Sequence, residues 1–473
     1  MQPAVNLDGQ PFHFIGIGGI GMSALAYILA SRGITVSGSD RRSNRVIQKL
    51  QKLDTAIFLS QEAKNLSQFQ DSNQPLPQVV YSTAIKVNNP EYQAALDLGC
   101  PMLHRSDLLA ALINQADQSI AVAGTHGKTT TSSLIGHLLV KADLDPTIVI
   151  GGEVATWAGN ARVGTGPHLV AEADESDGSL TKFHSAFGII TNIELDHPDH
   201  YSSLEDVLDI FHTFVEHTQQ VLVCLDCQNI RDRLMPKHPD HHFLTYSLDR
   251  ESGADYTLSD ITYSSTGSTA TVHEKGQTIG TIQVPLLGHH NLSNALAAIA
   301  IGRQCGAELE TLAKGLLSFG GTKRRFEVRG EANNIRLIDD YAHHPSEIEV
   351  TLASAKLTVT DPQQTIWKRV IAVFQPHRYS RIHTFLSEFS QAFKDADHVI
   401  VTDIYSAGEA NQVGIDAQQV QAAIAQHHES VTLKASLDDI KQYLPQISQP
   451  GDLILFLGAG NLNSVIPDVL AAL

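Results

Sequence analysis

Cysteine is scarce in this chain: four occur in 473 residues, Cys100, Cys224, Cys227 and Cys305. That excludes a disulfide framework and fits a reducing compartment such as the cytoplasm. Cys224-x-x-Cys227 has the spacing of a redox or zinc pair. It stands alone, however, at the end of the apolar run Gln220 to Leu225, where thiols pack as small apolar groups. No apolar run reaches the ~18 residues that a membrane span needs. The opening stretch, Met1 to Asp8, lacks a basic flank and a hydrophobic segment, so no signal peptide is expected. Positive charge is in deficit, with 33 Lys and Arg against 51 Asp and Glu, a formal net charge of −18. This argues against a nucleic-acid surface. It leaves anionic small ligands open, because screening over roughly 8 Å puts local sites in control. Low-complexity segments and short internal repeats are absent too.

What is present is a globular composition, 42% hydrophobic and 18% charged. At ~100–200 residues per domain the length suggests about three domains. The first third alternates strand and helix signals: Phe12 to Ile17 a strand, Ile20 to Ser31 a helix, Ile34 to Gly38 a strand, with shorter strands at Val79–Tyr81 and Pro101–Leu103. That is the pattern of a parallel sheet with helices on its faces. A polar hinge at Asn114 to Gln118 precedes a second α/β stretch. This carries a β-rich insert (Ala254–Tyr263, Ala270–Glu274, Thr278–Pro285) and a long helix from about Asn291 to Cys305. Gly320 to Lys323 reads as the next hinge, and strands restart at Ile335–Asp339, Arg369–Phe374 and Asp452–Leu457. The expected fold is α/β with three domains, 1–117, 118–325 and 326–473. The first and last are Rossmann-like, and the central one is a P-loop-type ATPase sheet.

The most informative segment is Gly124-Thr125-His126-Gly127-Lys128-Thr129-Thr130-Thr131. It follows the strand-like run Ser119 to Ala123 and precedes Leu134, Ile135, Leu138 and Leu139, spaced to share one helical face. Glycines let the backbone turn tightly, so several N–H groups converge on one anion at a helix N-terminus. Lys128 can reach terminal phosphates and the Thr129 hydroxyl can hold magnesium. The loop is shorter than G-x-x-x-x-G-K-[ST]; the first glycine of that pattern would fall at Val122.

A second glycine loop, Gly16-Ile17-Gly18-Gly19-Ile20-Gly21, also links a strand to a helix, and Asp40 lies beyond the next strand. Alone it suggests NAD and an NAD(P)-dependent oxidoreductase. Physically it says only diphosphate on a helix N-terminus and hydroxyls on a carboxylate, which a uridine diphosphate sugar also satisfies. Further on, an apolar strand ends in four carboxylates, Glu172, Asp174, Glu175 and Asp177. Beside a nucleotide this suits magnesium or manganese; otherwise it is a solvated acidic loop. His197, in Thr191 to His200, is a possible second ligand, although a lone histidine is more often structural.

Several motifs remain ambiguous on spacing alone. Asn291 and Asn294 suit an adenine edge, but helix capping is the stronger reading. His241-His242 lies in a polar turn and reads as surface. Arg324-Arg325-Phe326 at the second hinge can swing a guanidinium onto phosphate. Arg378 and Arg381 can share a helical face and grip a carboxylate, or simply be solvated.

Taken together these motifs resemble the Mur ligases. The matching stretches are Phe14 to Ser23, Gly124 to Thr131, Glu172 to Asp177, Thr191 to Glu194, Asp196-His197, Lys323 to Phe326, Asp339 to Tyr341, His343 to Pro345 and Phe374 to Tyr379. The resemblance implies that the first domain binds a UDP sugar, the second ATP, and that the third carries an amino acid and closes over ATP. It implies UDP-N-acetylmuramate, L-alanine and ATP as partners, with magnesium or manganese, acting as a monomer or homodimer in the cytoplasm. Also weighed is a ligase recycling a tripeptide onto the same sugar. By the same carry-over, Gly16, Gly18, Gly19, Gly21, Ser39, Asp40, Ser82 and Thr83 lie near the sugar nucleotide. Gly124 to Thr130, Asn291, Asn294, Arg325 and Asp340 lie near ATP. Tyr341, His343, His377, Arg378 and Arg381 lie near the amino acid and the muramoyl carboxylate. Lys128, Glu172, His197, Arg325 and His343 are the catalytic candidates, His343 as base. One departure is that Ser203 to Thr218 holds no lysine, whereas several family members use a carbamylated lysine there as a metal ligand. The metal reading therefore rests on Thr129, Glu172 and His197.

Lys128→Ala should abolish ATP-dependent amide formation; near-normal turnover in a phosphate-release assay would refute a role for this lysine.

Overall fold

The computed structural model describes residues 5–69, 75–157 and 159–473. Its strands gather into three sheets that follow chain order. The first holds β1 (Phe12–Ile15), β2 (Val36–Ser39), β3 (Ala56–Phe58), β4 (Gln78–Tyr81) and β5 (Met102–His104), in the order β3-β2-β1-β4-β5. Every pairing is parallel. Such sheets are covered on both faces, and Phe12, Phe14 and Ile15 are accordingly fully buried. Helices α1 (Ile20–Ser31), α2 (Arg45–Gln51), α3 (Pro90–Asp97) and α4 (Arg105–Gln115) complete this unit. Strand order reverses between β1 and β4, which opens a crevice at their carboxyl ends, the usual ligand position in such sheets. β3 escaped the sequence reading because it is a three-residue edge strand without a buried face.

The expected hinge at Asn114 to Gln118 is shorter than supposed. Helix α4 continues through Gln115 and β6 starts at Gln118, so only Ala116 and Asp117 link them.

The second sheet contains β6 (Gln118–Ala123), β7 (Thr147–Val154), β8 (Gly159–Arg162), β9 (His168–Glu172), β10 (Phe187–Ile190), β11 (Gln220–Cys224), β12 (Leu244–Ser247), β13 (Tyr256–Ser264), β14 (Gly267–Glu274) and β15 (Gln277–Val284). Their order is β15-β14-β13-β12-β11-β10-β6-β9-β7-β8. The β-rich insert is thus no separate body: β13 joins β12 in parallel, and β14 and β15 extend the same sheet as an antiparallel meander. The unit's helices are α5 (Lys128–Lys141), α6 (Leu204–Glu216), α7 (His289–Gln304) and α8 (Leu309–Leu317). Ser203 starts α6 with a reciprocal cap to Asp206, which satisfies otherwise orphaned N–H groups. Leu134, Ile135, Leu138 and Leu139 of α5 are fully buried, because α7 and α8 cover the helix on the side away from the sheet.

The third sheet runs β16-β17-β21-β18-β19-β20, from β16 (Glu327–Ala332), β17 (Ile335–Asp340), β18 (Arg369–Phe374), β19 (His398–Val401), β20 (Val431–Leu433) and β21 (Asp452–Leu457). Successive residues on a strand face opposite sides. Val370, Ala372 and Phe374 therefore pack with Ile348 and Leu352 of α9 (Pro345–Thr360), whereas Ile371 and Val373 enter the core on the other face. A short helix α10 (Tyr379–Thr384) follows β18. The hinge at Gly320 to Lys323 is docked on β7: Thr322 bridges Val154, and Lys323 N–H donates to Glu153 O at 3.0 Å. No helix among the described residues is long and apolar enough to cross a membrane.

Candidate active site

The lysine loop is built where β6, β9 and β10 end together. Gly124 leaves β6 at φ +132°, and a Cβ there would lie 2.0 Å from Thr191 Oγ1, so only glycine fits. Gly127, at φ +83°, caps α5, and a Cβ there would meet Asn294 Oδ1 at 2.7 Å. The segment after β10 laces the loop down. Asn192 O accepts from Thr125 N–H at 3.0 Å, Asn192 Oδ1 accepts from His126 N–H at 2.8 Å, and Thr191 Oγ1 donates to His126 O at 2.6 Å.

Lys128 turns back over this loop. Its ammonium donates to Gly124 O at 2.7 Å and Thr125 O at 2.9 Å, and lies 2.8 Å from Glu175 Oε2. Burial opposes its charge, but Glu175, Asp174 and Glu172 outweigh that and raise its pKa. Thr129 Oγ1 donates to Glu172 Oε1 at 2.8 Å, and Gly151 N–H donates to Glu172 Oε2 at 2.6 Å. Loss of solvent raises the Glu172 pKa despite those donors and Lys128. His197 stands apart from this pair in its contacts. Its Nε2 is 3.6 Å from Glu175 Oε1 and 3.7 Å from Asp196 Oδ2, and Asp174, Glu175 and His197 place ligand atoms within 4.8 Å of one another. The metal reading of Thr129, Glu172 and His197 thus acquires Asp174 and Glu175 beside the histidine. This oxygen-rich donor set suits a hard divalent cation.

Beyond the loop, a cavity of about 450 Å³ separates the second and third units. It is lined by His126, Gly127, Thr130, Asn291, Asn294, Arg325 and Asp340 among others, within the usual size of a small-molecule pocket. Neither asparagine caps a helix, contrary to the spacing argument. Gly288 holds the cap position of α7; Asn291 Nδ2 donates to Leu287 O at 2.8 Å, and Asn294 Oδ1 accepts from Thr131 Oγ1 at 3.1 Å. Asp340 is buried, and burial pushes its pKa up to about 6 although Arg325 and two N–H donors, Ala342 and Phe326, oppose it. Arg325 reaches Glu347 at 3.7 Å and lies 5.2 Å from the centre of the Tyr341 ring. Arg324 instead lies 3.4 Å from Asp339 on the sheet side.

The first glycine loop sits at the β1–β4 crevice. Gly16 has φ +82°, and Gly18 N–H donates to Asp40 Oδ2 at 2.9 Å. Asp40 also accepts from Arg42 N–H at 3.2 Å, so its carboxylate already steadies the loop. Ser39 departs from expectation: its side chain is fully buried and donates to Glu91, facing the core rather than the crevice. Ser82 and Thr83 follow β4 with partly open surfaces. Gly19 and Gly21 open α1, and a Cβ on Gly21 would stand 3.1 Å from Arg105. Arg105 also lies 3.6 Å from Asp174 and 3.5 Å from Asp177, and a small cavity of about 80 Å³ there is shared with Glu172. The two glycine loops are therefore joined by Arg105 and the acidic strand end.

In the third unit Arg378 and Arg381 do not share a helical face. Arg378 precedes α10 with φ +66° and pairs with Asp199, while Arg381, 2% exposed, donates to Asp196 Oδ1 at 2.8 Å. Both guanidiniums grip carboxylates of the second unit. His377 accepts from Arg381 at 3.2 Å, and burial pushes its pKa down to about 3, so the ring is neutral. His343 lies 5.7 Å from His377, ring to ring, and its Nδ1 donates to Tyr341 O at 3.0 Å. Sequence reasoning missed Arg105 and Glu347. The signal for Arg105 was a cation opening a helix, against the dipole; Glu347 lies in the first turn after Pro345.

A lysine-bearing glycine loop set between a dinucleotide-type unit and a third α/β unit is the arrangement of a three-domain nucleotide-dependent enzyme. Three family models cover the chain in order: "Mur ligase family, catalytic domain" on 11–117, "Mur ligase middle domain" on 122–302 and "Mur ligase, glutamate ligase domain" on 324–460. The chain belongs to the Mur ligase family of ATP-dependent ligases. It is similar to the UDP-N-acetylmuramate–L-alanine ligase of Acaryochloris marina, with 57% identity over 99% of this chain and 97% of that protein. The same-named protein of Thermosynechococcus vestitus is 58% identical over 99% of this chain and 96% of its own length. Among solved structures, the UDP-N-acetylmuramate-alanine ligase MurC of Thermotoga maritima is 28% identical, covers 98% of this chain and 99% of its own, and superposes with a TM-score of 0.78.

Asp196→Ala would leave the buried Arg381 without its carboxylate partner. The variant should lose roughly 3–5 kcal/mol from the docking of the third unit, read as earlier unfolding of that unit by hydrogen exchange.

Proposed function

We propose that this chain joins L-alanine to the lactyl carboxylate of UDP-N-acetylmuramate, splitting ATP to ADP and phosphate, in the synthesis of the peptidoglycan precursor. The observation that carries this reading is the 57–58% identity, over nearly the whole chain, to ligases named for that reaction. The geometry supports it: the lysine loop and the acidic strand end lie between a small cavity bounded by the first and second units and a larger one bounded by the second and third. The oxidoreductase reading has no support, since the family that matches is a ligase family. We take residues near 117 and 325 as the domain boundaries, and the cytoplasm, where ATP is made, as the site of reaction.

A carboxylate resists attack by an amine because its carbon is shielded by delocalised negative charge. In this reading the lactyl carboxylate first attacks the γ-phosphate of ATP, giving an acyl phosphate and ADP. The alanine amine then attacks the acyl carbon and phosphate leaves. The Gly124–Thr130 loop holds the β- and γ-phosphates with the N–H groups that Asn192 does not take, and Lys128 exchanges loop carbonyls for phosphate oxygens. Arg325 turns from Glu347 toward the transferring group and stabilises its charge. Asn291 and Asn294 read adenine, and Asp340 holds ribose hydroxyls. Gly16 to Gly21, with Asp40, Ser82 and Thr83, seat the uridine diphosphate. Thr129, Glu172 and His197, with Asp174 and Glu175 adjacent, would hold magnesium or manganese, whose charge lets two anions approach. His343 is the base for the amine: its Nδ1 faces Tyr341 O and Glu347 Oε2, each at 3.0 Å, which leaves Nε2 as the nitrogen to take the proton. Arg378, Arg381, Tyr341 and His377 line the approach of the amino acid and the muramoyl carboxylate. Closure of the third unit keeps water from the acyl phosphate.

Phosphate release with UDP-N-acetylmuramate should require an amino acid and be fastest with alanine in a panel that includes the tripeptide. Preference for the tripeptide would overturn the reading. Glu172→Ala should raise the magnesium concentration needed for half-maximal rate by roughly tenfold or more; an unchanged titration removes it as a ligand.

A further inference from the structure

Behind the lysine loop, on the side facing the third unit, lies a second cluster of side chains at the wall of the larger cavity; the reaction above draws on the backbone of its loop member, His126, and not on the ring. His126 and Glu194 come from the second unit and His344 from the turn before α9. His126 Nε2 stands 3.4 Å from Glu194 Oε2, and His344 Nδ1 stands 3.9 Å from the same oxygen. All three ligand atoms lie within 4.8 Å of one another. Two ligands at about 2.0–2.1 Å from a tetrahedral ion are themselves roughly 3.3–3.4 Å apart. The His126–Glu194 spacing already fits, and the His344 ring must move inward to close on one ion.

Three further features fit a ligand set. His344 is only 4% exposed, and neither of its ring nitrogens has a hydrogen bond, although a buried imidazole normally finds a partner. His126 Nδ1 lies 3.3 Å from Glu347 Oε1, the carboxylate-behind-histidine arrangement that orients a metal-binding ring. Ser346 Oγ donates to Glu194 Oε2 at 2.6 Å and holds that carboxylate in place. The ordinary alternative is a protonated His126 shared between Glu194 and Glu347. It accounts for His126 but leaves His344 without a partner.

We propose that His126, Glu194 and His344 form a binding site for a zinc-class divalent ion, separate from the oxygen-rich magnesium site. Two imidazoles and one carboxylate favour a borderline ion over magnesium. Because the ligands belong to two units, the ion would staple the start of α9 to the phosphate loop and favour the closed arrangement.

The test titrates zinc into the chelator-stripped full chain against a chromogenic chelator, without ATP and with magnesium in excess. Expected is one site per chain, weakened about tenfold or more in His344→Gln and unchanged in His238→Gln, which breaks a different histidine pair, His212–His238. Cobalt in place of zinc should give the strong visible bands of a four-coordinate ion in the wild type and lose them in His344→Gln. Equal zinc affinity in wild type and His344→Gln, or no site of that stoichiometry, overturns the proposal. Should His344→Gln fail to fold, Glu194→Gln is read by the same criteria.

Discussion

A largely buried ammonium surrounded by carboxylates is the contact on which the site depends. Lys128 is 13% exposed and its partner Glu175 1%. An isolated ion so placed would be expensive, and one removed partner would leave a costly uncompensated charge. Glu175, Glu172 and Asp174 arrive together because β9 ends beside β6, from which the loop springs. The parallel sheet thus sets the distance between the cation and its counter-ions. In the proposed reaction a triphosphate would bring competing anionic oxygens to the same ammonium, so Lys128 would exchange partners and the neighbouring carboxylates would need a cation of their own.

The same economy governs the junctions between units. Arg105 of the first unit faces Asp174 and Asp177 of the second. Arg381 and Arg378 of the third reach Asp196 and Asp199. Each acidic segment that faces the candidate catalytic space also receives a guanidinium from a neighbouring unit. Planar, permanently charged guanidinium suits this better than lysine, because it holds a carboxylate through directed N–H groups.

Much of this was legible in the chain. The Gly124–Thr131 segment lies between an apolar run and a helical pattern, and both became the elements expected, β6 and α5. The Gly16–Gly21 loop was equally plain. Other readings failed for physical reasons. The asparagines of α7 looked like caps because capping is a local signal, whereas their actual partners, Leu287 and Thr131, depend on how α7 lies against α5. Arg378 and Arg381 looked like one helical face because spacing assumes a helix; a positive φ at Arg378 breaks it. Ser39 entered only by carry-over from the family resemblance, which does not say which way a side chain faces; here Glu91 of α3 takes its hydroxyl.

The chain alone marked which glycine loops are candidates for holding phosphate, that three α/β units follow one another, and which residue types crowd each strand end. These are local properties, carried by glycine φ freedom, apolar periodicity and the position of charge next to a turn. Only the tertiary structure decided which charges meet. The pairing of Arg105 with Asp174, of Arg381 with Asp196, and of His126 with Glu347 spans tens to hundreds of residues. It follows from sheet order and domain docking, which no local pattern encodes.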